Sequence, residues 1–228
     1  MKKLILPFLI ISSLAGCSST AGLDKATQYT GGEILGDATS FYWTTETIEN
    51  PVSGSDYVND GKSGWYKTYY KWNEGKVQEL IRKGETLTDK QGMVPFSVVI
   101  RFNADGEAIY QQYRLGGHIL PLNENQLVRY LQEAQTVTAV VNQQKTQGTI
   151  LLQGLWTGKT FKSCDGKVYN KIEFNKTLPK FVVNRLSSVD SYVAFLGKVS
   201  GKSVEVDTLL MMADQNQQCI ARPSYIKE

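Results

Sequence analysis

Alternation of apolar and polar residues dominates the first half of the chain and predicts β-strands, because successive side chains of a strand point to opposite faces. Turn-forming residues at 73–75 and 103–106 separate neighbouring runs. We therefore expect an antiparallel meander of about five strands, with a loop at residues 51–56 between the first two. The predicted strands are residues 40–47, 64–72, 76–83, 96–102 and 107–115.

The pattern then changes to the helical period. Asn123 and Gln126 form a capping-box pattern, in which each side chain bonds the backbone N–H of the other residue. Apolar residues follow at helical spacing over residues 127–141. This predicts one helix that packs an apolar stripe against the sheet. The polar segment at residues 142–148 indicates a domain boundary.

The second half of the chain returns to short, evenly spaced β-type runs, which indicate a small barrel or sandwich. Residues 181–186 fit either a strand or a short helix, and the sequence does not decide between them. The predicted strands are residues 150–156, 160–164, 167–174, 192–199 and 203–211.

The first 16 residues have the pattern of an export signal. Lys2 and Lys3 precede an apolar run at residues 4–11. That run is too short to span a bilayer, which needs about 20 apolar residues. Because the small residues Ala15 and Gly16 end the segment, we predict that residues 1–16 are a signal peptide.

The Leu-Ala-Gly-Cys sequence that ends at Cys17 resembles the lipobox of bacterial lipoproteins. The resemblance implies that Cys17 becomes the first mature residue and carries lipid, which anchors the chain to a membrane. In this family, Asp directly after the lipidated cysteine retains a lipoprotein at the inner membrane. This chain has Ser18 there, so the resemblance implies that it is anchored to the outer membrane and faces the periplasm. Residues 17–32 are rich in Ser, Thr, Gly and Ala and predict a flexible tether. The alternative is a secreted protein cut elsewhere.

Charge argues against a nucleic-acid partner. The formal net charge is +3 and includes Lys2 and Lys3, which leave with the signal peptide. The near-neutral remainder lacks the clustered positive charge on which nucleic-acid binding depends.

Cysteine count indicates a disulfide in an oxidising compartment. Once Cys17 is set aside, Cys164 and Cys219 remain as an even pair. Two free buried thiols or a metal pair are the alternatives. Zinc usually takes four N or S ligands, and the chain has one His and no CxxC motif. We therefore predict no metal and no cofactor.

Residues 148–151, 160–169 and 192–199 are similar to parts of the oligonucleotide/oligosaccharide-binding (OB) barrel at the end of the NlpE lipoprotein. The resemblance implies a small OB-like barrel at residues 146–228. Together with the antiparallel sheet and packed helix that the periodicity predicts at residues 33–145, this gives a mainly β (α+β) fold. The metal-associated CxxC of that lipoprotein is absent, so copper sensing is not implied.

The whole chain resembles the uncharacterised YjaH-like lipoproteins of gammaproteobacteria. The aromatic start at residues 41–43, the hairpin at residues 96–115 and the half that contains Cys164 and Cys219 carry this resemblance. The family has no assigned function, so the resemblance implies no chemistry.

His118 is the only candidate for a general base of the usual kind. It follows Gly116 and Gly117 between the last predicted strand of the meander and the helix. Glycines at this position could bring the backbone close to a ligand. We favour the alternative, in which they only shape the turn and His118 bonds a local carbonyl.

Aromatic residues on two predicted strands are the strongest indication of binding. Aromatic residues occur on both faces of these strands, although a core needs them on one face only. Exposed rings can stack on sugars or hold a protein partner. The alternative is that the second domain or a loop covers them. Together with His118, the candidate contact residues are Tyr42, Trp43, Trp65, Tyr66 and Trp72.

These observations favour a non-enzymatic binding, sensing or assembly role in the periplasm, with an envelope protein or a glycan as partner. One alternative is an envelope enzyme acting on glycan or peptide, with His118 or a turn carboxylate as its acid or base. Another alternative is an inhibitor of a foreign enzyme that degrades the envelope.

Overall fold

A computed structural model describes residues 26–48, 50–175 and 178–224. With 57% strand, two helices, an antiparallel meander and a second, nearly closed barrel-like sheet, it confirms the predicted mainly β fold. Residues 1–25 lie outside the described ranges, and so do the predictions of a signal peptide, of lipidation at Cys17 and of a tether over residues 17–25.

The first sheet has eight strands, each paired antiparallel with the next in chain order. It is wider than the meander predicted from the sequence, because strands also form at residues 27–35, 50–59 and 118–120. Its strands are β1 (Thr27–Leu35), β2 (Ala38–Thr47), β3 (Asn50–Asn59), β4 (Gly64–Asn73), β5 (Lys76–Thr88), β6 (Gly92–Phe102), β7 (Ala108–Leu115) and β8 (His118–Leu120).

The loop predicted at residues 51–56 is wrong, because this segment belongs to β3. Its composition is typical of a turn, yet its backbone pairs with both β2 and β4. Gly54 lies under the ring of Trp72, where a Cβ atom would come within 2.8 Å of that ring. The small residues here therefore make room for neighbouring rings.

The predicted tether is wrong for its last residues, because β1 begins at Thr27. The helix ties this strand down through one side chain. Gln144 accepts a hydrogen bond from the backbone N–H of Gly32 at 3.0 Å and donates one to the Gly32 carbonyl at 2.7 Å. A Cβ atom at Gly31 would lie 2.4 Å from the Gln144 oxygen, so glycine allows this close approach.

Helix α1 (Glu124–Thr146) begins at the predicted capping box. The Asn123 side chain accepts from the Gln126 N–H at 2.9 Å, and the Gln126 side chain accepts from the Asn123 N–H at 2.9 Å. The helix continues through most of the segment predicted as a domain boundary and ends near Gly148, whose φ is +70°. Ala134, Val137 and Val141 bury its apolar stripe against the sheet.

The second sheet has six strands, in the spatial order 168–169, 161–163, 150–156, 191–200, 203–214 and 171–174, and the last two run parallel to each other. The run predicted at 167–174 is divided into two strands, and residues 181–186 lie in a helix, α2 (Lys180–Ser188). The strands are β9 (Ile150–Trp156), β10 (Phe161–Ser163), β11 (Val168–Tyr169), β12 (Lys171–Phe174), β13 (Ser191–Ser200) and β14 (Ser203–Asp214).

Three apolar cores hold the molecule together. The first lies between the eight-stranded sheet and α1, and the second lies inside the barrel-like sheet with α2. The third joins the two sheets, where Phe41 and Trp43 of β2 pack with Tyr192 and Leu210 of the second sheet. The opposite face of β2 contributes Tyr42 to the first core, so this strand is buried on both faces.

Cys164 and Cys219 form the predicted disulfide, with Cα atoms 6.1 Å apart. The bond holds the irregular C-terminal segment against the barrel. Ile220 donates its N–H to Gln153 Oε1 and accepts from Gln153 Nε2, both at 2.8 Å. Its side chain enters the third core, so the tail helps to cover the junction between the two sheets.

None of the helices within the described ranges is long and apolar enough to cross a membrane. Those same ranges contain no group of three or more His, Cys, Asp or Glu side chains arranged to hold a metal ion.

Candidate functional site

A row of polar side chains crosses the face of the first sheet that meets α1. Asp56 on β3 lies opposite Thr68 on β4, and Thr68 lies opposite Arg82 on β5. The row continues through Val98 on β6 to Tyr113 on β7. Directly opposed residues of antiparallel strands project from the same face, so the register alone gathers these groups.

Arg82 is the centre of this row, and its side chain is only 4% exposed. Its Nε donates to Thr68 Oγ1 at 2.8 Å. Its Nη2 lies 2.7 Å from Glu133 Oε2 on α1 and 3.9 Å from Asp56 Oδ2. The same nitrogen donates to the Tyr70 hydroxyl at 3.3 Å, and that hydroxyl donates to Asp56 Oδ2 at 2.7 Å. A buried guanidinium is thus paired with carboxylates from two sides.

Two tyrosine rings flank the guanidinium. The Arg82 Cζ atom lies 3.9 Å from the ring centre of Tyr66 and 5.0 Å from that of Tyr130 on α1. Cations over ring faces are attracted by the ring quadrupole, more strongly where water is excluded. These contacts fix the side chain in one place, so it acts as a rigid wall.

Asp56, Tyr66, Tyr70, Arg82 and Glu133 form a cluster, and burial affects the pKa values of the first four. It raises the pKa of Asp56 above the usual 3.8, while the nearby Arg82 charge opposes the shift. Burial also raises the pKa values of Tyr66 and Tyr70, so both phenols stay protonated. Burial alone lowers the pKa of Arg82, but negative neighbours more than offset this and raise it. Tyr70 contributes most, at the high pH where arginine titrates and phenols ionise, followed by Tyr66, Asp56 and Glu133. The guanidinium therefore stays charged.

A cavity of about 340 Å³ opens beside the cluster. It lies between the β3–β4 turn, strands β4 to β7 and the first half of α1. Gly84 makes part of this shape, since the rings of Tyr66 and Phe96 meet across it with centres 6.5 Å apart. The rings that line the cavity are Trp65, Tyr66, Phe96, Tyr113 and Tyr130, and its charged residues are Asp60, Arg82, Glu85, Arg129 and Glu133.

Three predicted contact residues are core residues instead. Tyr42 is 5% exposed and donates its hydroxyl to Glu33 at 2.7 Å. Trp43 is 7% exposed in the core between the sheets, and Trp72 is 5% exposed under α1. The expectation of ligand contact is therefore wrong for these three, because the helix and the second sheet cover the two faces of the strands.

Trp65 and Tyr66 both line the cavity, and their contact with a ligand stays a prediction. Trp65 is held by a hydrogen bond from its Nε1 to Glu85 Oε2 at 3.0 Å. His118 lies elsewhere, exposed on β8 and beside a separate cavity next to residues 88–91. The structure thus brings two predicted residues together with the cluster and leaves His118 apart.

Sequence reasoning missed Asp56, Arg82, Tyr113 and Glu133. Asp56 lies in the segment that was predicted to be a loop, so its place on β3 was not expected. One signal was present: Arg82 has the same parity as the buried Leu80 in β5, so the alternation points a charge inward. A charge at an inward position is rare without a partner.

A family model described as a protein of unknown function (DUF1481) matches residues 30–224. The chain belongs to the DUF1481 family. The match includes both sheets, except for residues 27–29 of β1, and every residue of the cluster and its cavity. No curated protein and no solved structure matches the chain. The likeness to YjaH-like lipoproteins and to the NlpE barrel therefore stays a prediction.

Proposed function

We propose that this DUF1481 protein is an outer-membrane lipoprotein that faces the periplasm and has a non-enzymatic binding role there. Its binding site is the cavity beside Arg82. The lipobox-like sequence at Cys17 supports the anchor, and the disulfide fits an oxidising compartment. The NlpE-like OB character of the second domain belongs to the same proposal.

The cavity is the observation that carries the binding role. Ligand sites are concave, lined with rings, and furnished with a few fixed polar groups, over about 300–1,000 Å³. This cavity fits the lower end of that range. Contacts on several sides hold Arg82 in position before any ligand binds. Binding therefore loses little side-chain conformational entropy at this residue.

His118 lies beside a different cavity, so it is not an acid or base for a ligand bound beside Arg82. The carboxylates of Asp60 and Glu85 do line the cavity and keep an acid–base role as the second candidate. Substitution separates the two roles. Glu85→Gln and Asp60→Asn would abolish turnover by an enzyme, whereas a binding protein would keep its ligand with reduced affinity.

In-cell photo-crosslinking tests the binding site. Tyr113 lines the cavity, whereas Tyr110, three residues earlier on the same strand, is 38% exposed and stacks with Arg101 away from it. A photoreactive residue at position 113 should capture a partner, and the same residue at position 110 should not. Adding the cavity-filling change Thr86→Trp should abolish the capture.

Equal capture from both positions, or capture that survives Thr86→Trp, would show that the cavity is not the binding site. The anchor is tested separately by labelling cells with a palmitate analogue. Cys17→Ser should lose the label and leave the membrane fraction, and retention of both would contradict lipidation.

A further inference from the structure

The charges around the cavity narrow the class of ligand, an inference that rests on the proposed binding role. Arg82 and Arg129 face three acidic residues, Asp60, Glu85 and Glu133. Arg82 is already paired with Glu133 at 2.7 Å, and Arg129 lies 3.6 Å from the same carboxylate. The wall therefore carries no surplus of positive charge, which a phosphate or another anion would need.

The rings favour a ligand with apolar faces. Tyr66 and Phe96 meet edge to face on the sheet side. Tyr130 borders the cavity from α1, but it is buried and its ring lies against the Arg82 guanidinium, so the ligand-facing rings are those of the sheet. Tyr113 closes the cavity from β7. Flat aromatic faces gain free energy by covering apolar surface. A pyranose ring presents such a surface through its axial C–H groups.

Polar groups at the rim supply both donors and acceptors. Glu85 and Asp60 are acceptors, the Arg129 side chain is 61% exposed and donates, and the hydroxyls of Ser63 and Thr86 do both. Hydroxyl-rich ligands need this mixture, because each ligand hydroxyl both donates and accepts. Planar carboxylate and guanidinium groups also match two neighbouring hydroxyls at once.

Backbone pairing disfavours an extended peptide in the same place. The strands that border the cavity, β4 to β7, are hydrogen-bonded to neighbours along the sheet. At the residues that line the cavity, including Tyr113, which pairs with Leu120 of β8, they offer side chains and no sheet edge at which a peptide would add as a further strand. A ligand recognised through its own hydroxyls does not need such an edge.

We infer that the cavity binds a saccharide unit of a glycan. One sugar ring covers the aromatic lining, and the rim residues Glu85, Asp60 and Arg129 bond its hydroxyls. The Arg82–Glu133 pair fixes the distance between the sheet and α1, and so the width available to the ring.

A glycan array probed with the full acylated chain in detergent tests this inference. We expect a set of related glycans to bind and Thr86→Trp to abolish the signal. Tyr113→Ala should weaken binding roughly tenfold, the equivalent of about 1.4 kcal/mol. The matched control Tyr110→Ala should bind within about twofold of the unsubstituted chain. Circular dichroism and thermal midpoints confirm that each variant is folded.

The outcomes separate the two proposals. If no glycan binds above the level of Thr86→Trp while crosslinking from position 113 captures a protein, the saccharide inference is wrong and the binding site stands. If neither experiment gives a signal, both are wrong. Glycan binding that Tyr113→Ala and Tyr110→Ala reduce equally would place the sugar outside the cavity and overturn the inference.

Discussion

The two sheets of this protein bury different kinds of polar groups. Within the described residues, every buried charged side chain belongs to the first sheet, namely Glu46, Asp56 and Arg82. The buried polar residues from position 149 onward are hydroxyl residues alone: Thr149, Ser163 and Ser191. The second sheet instead has an apolar core and a disulfide.

The buried charges of the first sheet are explained better by function than by stability. A buried ion pair is weak evidence for stability, because desolvation offsets much of its attraction and well-packed apolar residues often serve as well. The apolar core of the second sheet avoids this desolvation cost. The first sheet keeps Asp56 and Arg82 buried and paired with Glu133 of α1 beside the cavity, and departures from local rules of this kind concentrate at functional sites.

Arg82→Met should produce the largest effect. It leaves the Asp56 carboxylate buried without its cation, which costs about 3–5 kcal/mol of unfolding free energy. Urea denaturation measures this. The control is Arg101→Met, which removes an ion pair to Glu79 whose arginine side chain is 43% exposed, and it should cost under about 1 kcal/mol. Equal losses would erase the contrast between the buried and the surface pair.

Removing the disulfide is the matching test for the second sheet. The double change Cys164→Ser and Cys219→Ser opens a loop of 55 residues, and the chain-entropy model gives a loss of about 4 kcal/mol. Hydrogen exchange should rise first around Ile220, which the bond holds in the third core. Intact mass with and without reductant checks the bond itself. Two free thiols in periplasmic material would contradict it.

Two tyrosine hydroxyls allow a direct comparison of the sheets. Tyr70 donates to the Asp56 carboxylate and Tyr192 donates to the Gln153 amide oxygen, both at 2.7 Å. Hydrogen bonds to charged groups contribute about 1.5–3 kcal/mol, and those to neutral groups about 0.5–1.5. Tyr70→Phe should therefore destabilise more than Tyr192→Phe in urea denaturation. The reverse order would show that the Asp56 cluster does not depend on this hydroxyl.

The helices differ in how they begin. The Asn123 side chain caps α1, whereas α2 follows Pro179, which makes no side-chain capping bond. Asn123→Ala should cost about 1 kcal/mol, because one N–H of the first turn loses its acceptor. Thermal unfolding followed by circular dichroism measures the loss. An unchanged midpoint would mean that packing alone holds the start of α1.

The smallest expected effect is a dependence of the unfolding free energy on pH that comes from Asp56. Burial raises its native pKa above 3.8, so between the unfolded and native pKa values the native state holds more protons. Its contribution to the unfolding free energy is thus greatest below the unfolded pKa and falls as the pH rises through the native one. Asp56→Asn should remove this fall, as urea titrations from pH 4 upward would show.

The exposed loop residue Asp89 provides the control for that titration. Asp89→Asn should keep the pH dependence of the unsubstituted chain. If Asp56→Asn and Asp89→Asn titrate alike, burial of Asp56 does not control the pH response.

Sequence patterns predicted the elements whose signals are local. The Asn123–Gln126 capping box marked the start of α1, and the run at residues 150–156 matched β9. The β3 strand was missed because its pairing depends on β2 and β4, which compensate for its poor strand propensity. Trp65 and Tyr66 line the cavity, but nothing local distinguished them from the buried Trp43 and Trp72.

The sequence by itself determined the mainly β class, the capped helix and the pairing of two cysteines, because strand period, helix period and cysteine number act over short ranges or by count. Only the tertiary structure decided where the site lies. Asp56, Arg82 and Glu133 are far apart along the chain, and they meet because strand register and the docking of α1 place them on one face. The alternation in β5 does point Arg82 inward, but local patterns carry no information about which residues meet it.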